Sequence, residues 1–385
     1  MKNKEMNILR VSFRVLSFFR IFPKSEKLSL YDCLQQVFIF FNALMIGSVL
    51  HFYHNLRMDT ISIDEGVEDF ILILANVGFS LGISYFKYNH KNIRLLMDDL
   101  KTFDEFGFPP GTRSLSRKIN HLTIGFTILG MVLYLQHFFY KVFYEESCAE
   151  LNIKYDKNDI CGLSSRFWLP FEISFSIKLF VQILDFFYVL WVGITCVLIG
   201  FVVGCAELII IRVLHLKMML KDALSSVNRA NSKNLLITCI KYHSHIISLT
   251  HRYNECFGKF VMLFLMQTGP TIAVASFSII IEPKISVMLH LSGWVVTLFT
   301  FCVSGQRLID ESSLISQTIY DTEWYELDIS LRKHVILTLL QSQRPLRAKM
   351  WMISEASYMT FAKVIKMSYS IITLLNGTLT RKNDP

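Results

Sequence analysis

The sequence predicts an all-α polytopic membrane protein, on three observations. Mean hydropathy is +0.41, and 52% of the 385 residues are apolar, which exceeds the usual share for a soluble domain. The apolar residues gather into seven blocks, each near the roughly 20 helical residues that cross a hydrocarbon core about 30 Å thick. Lys and Arg fall in the gaps between the blocks, where cytoplasmic loops collect them.

A basic leader precedes the first predicted span at 33–53, and the second and third follow at 67–86 and 122–144. A fourth, at 171–203, is longer than the bilayer needs and is expected to tilt or project. Its Gly200 and Gly204 form G-x-x-x-G, a pattern that lets helices pack closely. From 208 to 259 helical periodicity continues with charges of both signs, so this tract reads as extensions of the fourth and fifth helices standing in the cytoplasm. His215, His243, His245 and His251 lie there without a completed metal-ligand pattern and read as solvated helix surface. The fifth and sixth spans, 260–281 and 285–303, are separated by Glu282, Pro283 and Lys284, a tight hairpin with proline as breaker. Polar helix-forming sequence fills 304–350, and its 331–340 segment is amphipathic and too polar to span. The last span is 356–375. The expected division is 1–207 (leader and spans one to four), 208–259 (helical extensions), 260–303 (spans five and six), 304–350 (inner helices) and 351–385 (final helix and short tail).

Charge sets the orientation. The leader carries Lys2, Lys4, Arg10, Arg14, Arg20, Lys24 and Lys27, whereas 54–66 sets Arg57 against Asp59, Asp64 and Glu65. The N-terminus is therefore expected inside and, with an odd number of spans, the C-terminus outside. That is the mirror of a G-protein-coupled receptor, and the chain also lacks a D-R-Y triplet after its third span and an N-P-x-x-Y motif in its last. A seven-span transporter would show repeats, broken helices or intramembrane charge pairs, and the sequence offers Asp185 alone. The net charge of +8 is dispersed through the loops, which argues against nucleic acid as a partner.

Catalytic chemistry finds no support. No G-x-S-x-G, H-E-x-x-H or phosphate-cradling glycine loop is present, and no cofactor or metal is expected. Asp185, deep in the fourth span, must face protein or water, as a polar group of a pocket or as a partner for a neighbouring helix. Cys148 and Cys161 stand apart from the other cysteines in one polar loop. An extracellular placement permits a bridge between them, and two free thiols fit equally.

The C-terminal stretch carries a family pattern: Cys302, Gly305, Glu311 with Ser312, Ile319 with Tyr320, Trp324 with Tyr325, Arg332 with Lys333, Gln343 to Pro345, Thr360 with Phe361, and Lys366 to Ser370. In these residues the chain resembles the insect odorant receptors, in length, span count and topology throughout and in motifs over the C-terminal fifth. The ending from Ser368 to Asn376 departs from the T-Y-x5-Q-F type of the gustatory relatives, and the chain has no room for the large insertion of the co-receptor. The resemblance therefore is to a ligand-tuning member.

That resemblance implies a heterotetrameric, ligand-gated cation channel formed with the odorant co-receptor, in the plasma membrane of sensory neurons and without need of a G protein. Tyr320, Trp324 and Tyr325 would belong to the segment that anchors subunits, and Ile372, Leu375 and Asn376 would stand at the outer end of a pore-lining helix, where a ring of apolar side chains closes a pore by dewetting. Asn376 departs from an all-apolar gate. Small volatile odorants would bind among the outer halves of spans two, three, four and six, where the matching segments supply Phe70, Ile73, Leu74, Tyr134, His137, Phe138, Phe175, Leu179, Ile183, Met288, Ser292 and Val295. At about 0.8 kcal/mol per buried CH₂, a volatile of about ten carbons gains roughly 8 kcal/mol before ordering costs, which sets binding at micromolar or weaker.

Overall fold

Continuous apolar sequence makes α8, Val189–Ala223, the buried axis of the molecule. A helix that is hydrophobic all round must be covered all round. In the computed structural model, which describes residues 9–22, 35, 46–57, 63–155, 159–164, 167–168, 174–225, 232–351 and 354–383, α8 is covered by α1 (Arg10–Phe18), α5 (Thr112–Phe143), α9 (Ser232–Ile281) and α10 (Ile285–Tyr320). The other helices are α2 (Ile46–Arg57), α3 (Ile63–Tyr88), α4 (His90–Lys101), α6 (Glu145–Tyr155), α7 (Phe175–Phe187), α11 (Ile329–Ser342) and α12 (Tyr358–Asn383). Among the described residues, two ladders of two-residue strands, β1 (Asp159–Ile160) with β2 (Phe167–Trp168) and β3 (Lys349–Met350) with β4 (Ser354–Glu355), depart from an all-α chain.

Among the described residues five helices are long and apolar enough to cross a membrane: Asp69–Tyr88, Thr112–Phe143, Phe175–Ala223, Ser232–Ile281 and Ile285–Tyr320. They correspond to predicted spans two to six. Most of the first predicted span, 33–45 apart from residue 35, lies outside the described residues, and 46–57 forms α2. The last predicted span is helical as α12 but is not among the five. Lys363, Lys366, Ser368, Ser370 and Thr373 dilute its apolar character, as expected of a helix with one wetted face.

The overlong fourth segment breaks at Tyr188 into α7 and α8, and α8 and α9 run on well beyond the predicted spans. This agrees with helical extensions over 208–259, but the expected solvation of the histidines needs correction. His243 is buried, His215 lies 3.4 Å from the Tyr242 hydroxyl, and His245 packs against the Phe106 ring. The extensions pack on each other and on α4, so their inner faces are core. His251, paired with Glu255, is exposed as predicted. Gly200 and Gly204 let α8 approach Thr123 and Ile119 of α5, with Leu9 above them.

The segment leading into α12 is held by main-chain contacts. Asn254 of α9 grips the hairpin from both ends of its amide: Nδ2 donates to Arg347 O at 3.0 Å, and Oδ1 accepts from Lys349 N–H at 2.8 Å. Ser312 Oγ accepts from Leu346 N–H at 2.8 Å. Gly258 and Gly305 face the hairpin's backbone, and a Cβ on Gly305 would collide with Ala356 O, which cannot swing aside as a side-chain tip could. Gly305→Val is therefore expected to lower stability by about 3 kcal/mol through overpacking, read as a lower melting temperature of the solubilised protein, whereas Gly125→Ala, with open space around it, should stay near wild type.

Candidate functional site

A cavity of about 1290 Å³ opens between α3, α5, α7, α8, α9 and α10, at the end of the bundle that carries the 282–284 hairpin. Its wall is mainly apolar. Ile71, Ala75 and Phe79 come from α3, Phe126 and Leu133 from α5, Val181 and Leu184 from α7, Trp191 and Ile199 from α8, Phe264 from α9, and Val287 and Trp294 from α10. Apolar lining with a few fixed polar groups is the usual character of a small-molecule site.

The polar groups centre on Asp185. Its carboxylate accepts from Ser164 N–H at 2.6 Å, from Ser164 Oγ–H at 2.6 Å and from the Tyr134 hydroxyl at 2.9 Å. His137 Nε2 donates to Ser164 O at 2.9 Å. Ser164 thus joins the loop after α6 to both α5 and α7. The bridge between Cys148 and Cys161, with Cα atoms 5.8 Å apart, ties the same loop to α6, at a separation normal for a disulfide. Asn152 Nδ2 donates to Asp159 O at 2.8 Å, and Lys178 of α7 pairs with Glu145 of α6. On the other side His51 of α2 sits between Asp69 of α3 and Asp159 of β1, at 2.6 and 3.2 Å, and His54 stacks on Trp168 of β2 at 4.0 Å. The loop is a lid clasped to α2, α5, α6 and α7, and through His51 to α3, with Leu163 and Ser164 on the cavity wall.

Of the twelve residues expected to meet ligand, Tyr134 and His137 line the cavity. Phe70, Phe175, Leu179, Ile183 and Met288 are exposed on the outside of the bundle, as is Ser292. Ile73 and Leu74 are half-buried off the wall, Val295 packs into the main core, and Phe138 is buried against the Phe139 and Phe186 rings. The helices are the expected ones, but the faces are rotated. Ile71 lines the cavity in place of Phe70, Leu184 in place of Ile183, and Val287 in place of Met288, and one residue is a turn of about 100° on a helix. Trp191, His290 and Trp294 were missed. The His290 and Trp294 pair, four apart and hence on one face, was the available signal.

On α12 one face, with Val364, Ser368 and Leu375, turns onto the chain's own bundle, while Lys366, Ser370, Thr373, Leu374 and Asn376 are exposed. Ile372 is half-buried at the flank. Leu375, expected at the pore, instead packs on the apolar cluster of Ile71, Ala275 and Phe277, because the helical phase places it seven residues, close to two turns, beyond buried Ser368. Tyr320 and Tyr325 are exposed and Trp324 is half-buried against the core. Leu331 and Val335 of α11 are buried, leaving Ile329, Ile336, Leu337 and Leu340 as an exposed apolar face.

The 7tm Odorant receptor family model matches residues 62–369. The chain belongs to the odorant receptor family. The receptor is 24% identical over 369 residues to Odorant receptor 67c of Drosophila melanogaster, with 89% of this chain and 86% of that protein covered. To Putative odorant receptor 92a of the same species it is 23% identical over 364 residues, with the same coverage of both chains. Among solved structures, the insect olfactory receptor OR5 from Machilis hrabei in complex with eugenol superposes with a TM-score of 0.70 at 12% identity, over 97% of this chain and 99% of that one. At that identity the likeness is one of fold. It agrees with a helical, multi-pass membrane protein, and the family places the receptor among receptors rather than enzymes.

Proposed function

We propose that the receptor is a ligand-tuning odorant receptor subunit, which binds small hydrophobic volatiles in the cavity and gates a non-selective cation channel as a heteromer with the odorant co-receptor. The observation that carries this reading is one shared apolar cluster. Ile71 and Val287 line the cavity, and with Ala275 and Phe277 they pack in the same group as Leu375 of α12. A ligand that shifts the α3 or α10 wall therefore acts directly on the final helix, with no G protein between. Leu375 serves in this scheme as the coupling contact, and Ile372 with the exposed residues of α12 as the pore side. Subunits would meet through the exposed face of α11 together with Tyr320 and Tyr325.

The basic gaps support a cytoplasmic N-terminus and an extracellular lid, and residence in the plasma membrane follows from the family reading. The test is co-expression with the odorant co-receptor and current recording over a panel of volatiles. An odour-evoked cation current is expected, and its absence despite surface expression of both chains overturns the proposal. Epitope tags should place the N-terminus inside intact cells and the C-terminus outside. Ile372→Ala is expected to raise resting current about threefold or more, by thinning an apolar closure. An unchanged resting current removes Ile372 from the gate.

A further inference from the structure

The cavity reading leaves open what chemistry the ligand must carry, and the hydrogen bonds on its wall narrow this. Most polar side chains there are engaged by the protein. Tyr134 and Ser164 donate to Asp185, Thr195 donates to Trp191 O at 3.0 Å, and Thr297 donates to Gly293 O at 2.7 Å. His290 differs. The Trp294 indole N–H donates to His290 Nε2 at 3.0 Å. An indole nitrogen can only donate, so Nε2 must present a lone pair. The imidazole is then neutral and its single proton sits on Nδ1.

Trp294 is not free to release this arrangement. It is 7% exposed and stacks on Phe79 and on Phe264, with ring centroids at 6.1 and 5.8 Å. His290 lines the cavity, and among the described residues its Nδ1–H meets no acceptor. A donor held in apolar surroundings without a partner is unfavourable until an acceptor arrives. Resting on the proposal that the cavity takes small volatiles, we infer that His290 Nδ1–H is the ligand's hydrogen-bond donor, and that the receptor is tuned to volatiles with a compact acceptor oxygen, such as ketones, aldehydes and esters. Trp294 is the positioning residue that fixes the tautomer. A hydrocarbon of the same shape would fill the cavity and leave the donor stranded.

The experiment is a ligand cycle on the purified receptor in lipid nanodiscs, following the fluorescence of the cavity tryptophans during titration with 2-octanone and with 2-methyl-1-octene, in which a methylene replaces the carbonyl oxygen. Comparing variant with wild type cancels the difference in water solubility between the probes. His290→Leu is expected to weaken 2-octanone about tenfold, a loss of ~1.4 kcal/mol, while moving the olefin by less than about twofold. Trp294→Phe, which unlocks the tautomer but leaves the histidine, is expected to weaken 2-octanone selectively by about threefold. Olefin binding that survives shows the variants to be folded. Equal losses for both probes make His290 mere wall and overturn the inference, as does a selective ketone loss in Tyr188→Phe that His290→Leu does not show. If wild type binds neither probe, the cavity reading itself fails.

Discussion

Arg212→Leu is expected to cost the receptor about 3 to 4 kcal/mol of stability and most of its folded yield. Arg212 is 1% exposed, and its Nη2 donates to three main-chain carbonyls, Asp99 O at 3.2 Å, Leu100 O at 2.9 Å and Thr102 O at 3.0 Å. These carbonyls lie at the C-terminal end of α4, where main-chain donors run out, Asp99 O taking a long bond of 3.3 Å from Thr102 N–H, and where a cation is favoured by the helix dipole. The guanidinium also lies 4.5 Å from the Phe103 ring centre, a contact that gains from desolvation. Asp99 in turn pairs through its carboxylate with Arg252 of α9. One side chain on α8 therefore fixes where α4 ends and how it meets the two long helices. Leucine fills part of the volume but strands the carbonyls, whereas lysine keeps a charge and loses the planar fork, so Arg212→Lys should fall between. The check is thermal unfolding of the solubilised receptor, followed by size-exclusion chromatography. A Leu variant melting within about 2 °C of wild type would show that water satisfies the carbonyls equally well.

Arg212 also shows what the sequence could and could not say. As one of several basic residues after the fourth span it fits an inward-facing loop, yet nothing local reveals that it is buried under α4. Span positions were legible because hydropathy is a property of consecutive residues. Burial on a helix depends instead on phase, and phase is set by neighbours far away in the chain. Phe70 and Ile71 are equally apolar, and only the approach of α9 and α10 decides that Ile71 meets the cavity and the cluster beneath Leu375. His243 reads as a surface residue until the two extensions are seen to pack together. Gly305 and Ser312 of the family pattern gain a physical meaning only when the hairpin before α12 is in place, one as the space for Ala356 and the other as the acceptor for Leu346 N–H. The lid is the least legible part, since its contacts join residues 51, 69, 134, 137, 164 and 185 across the chain.

Asp185→Leu is expected to unclasp that lid and shift ligand responses to higher concentration by about tenfold or more. The carboxylate accepts three hydrogen bonds, two from Ser164 and one from Tyr134, and the Tyr134 hydroxyl lies in addition 2.7 Å from Asp185 O. Leucine leaves the Ser164 amide and two hydroxyls without this acceptor beside an apolar cavity, a loss of about 3 kcal/mol in lid closure. Asn is the informative control. Its oxygen can keep the Ser164 amide bond, and both hydroxyls can rotate to accept from its NH₂, so Asp185→Asn should lose only about 1 kcal/mol. Because Cys148–Cys161 still tethers the loop three residues before Ser164, the Leu variant should loosen the lid without unfolding the bundle. Two readings separate these effects. Amide exchange at Ser164 should accelerate strongly in the Leu variant and weakly in the Asn variant, while exchange within α8 stays slow in both. Should the Leu variant keep both wild-type ligand sensitivity and a protected Ser164 amide, the clasp on Asp185 is not what closes the cavity, and the His51 contacts to Asp69 and Asp159 become the closure to test.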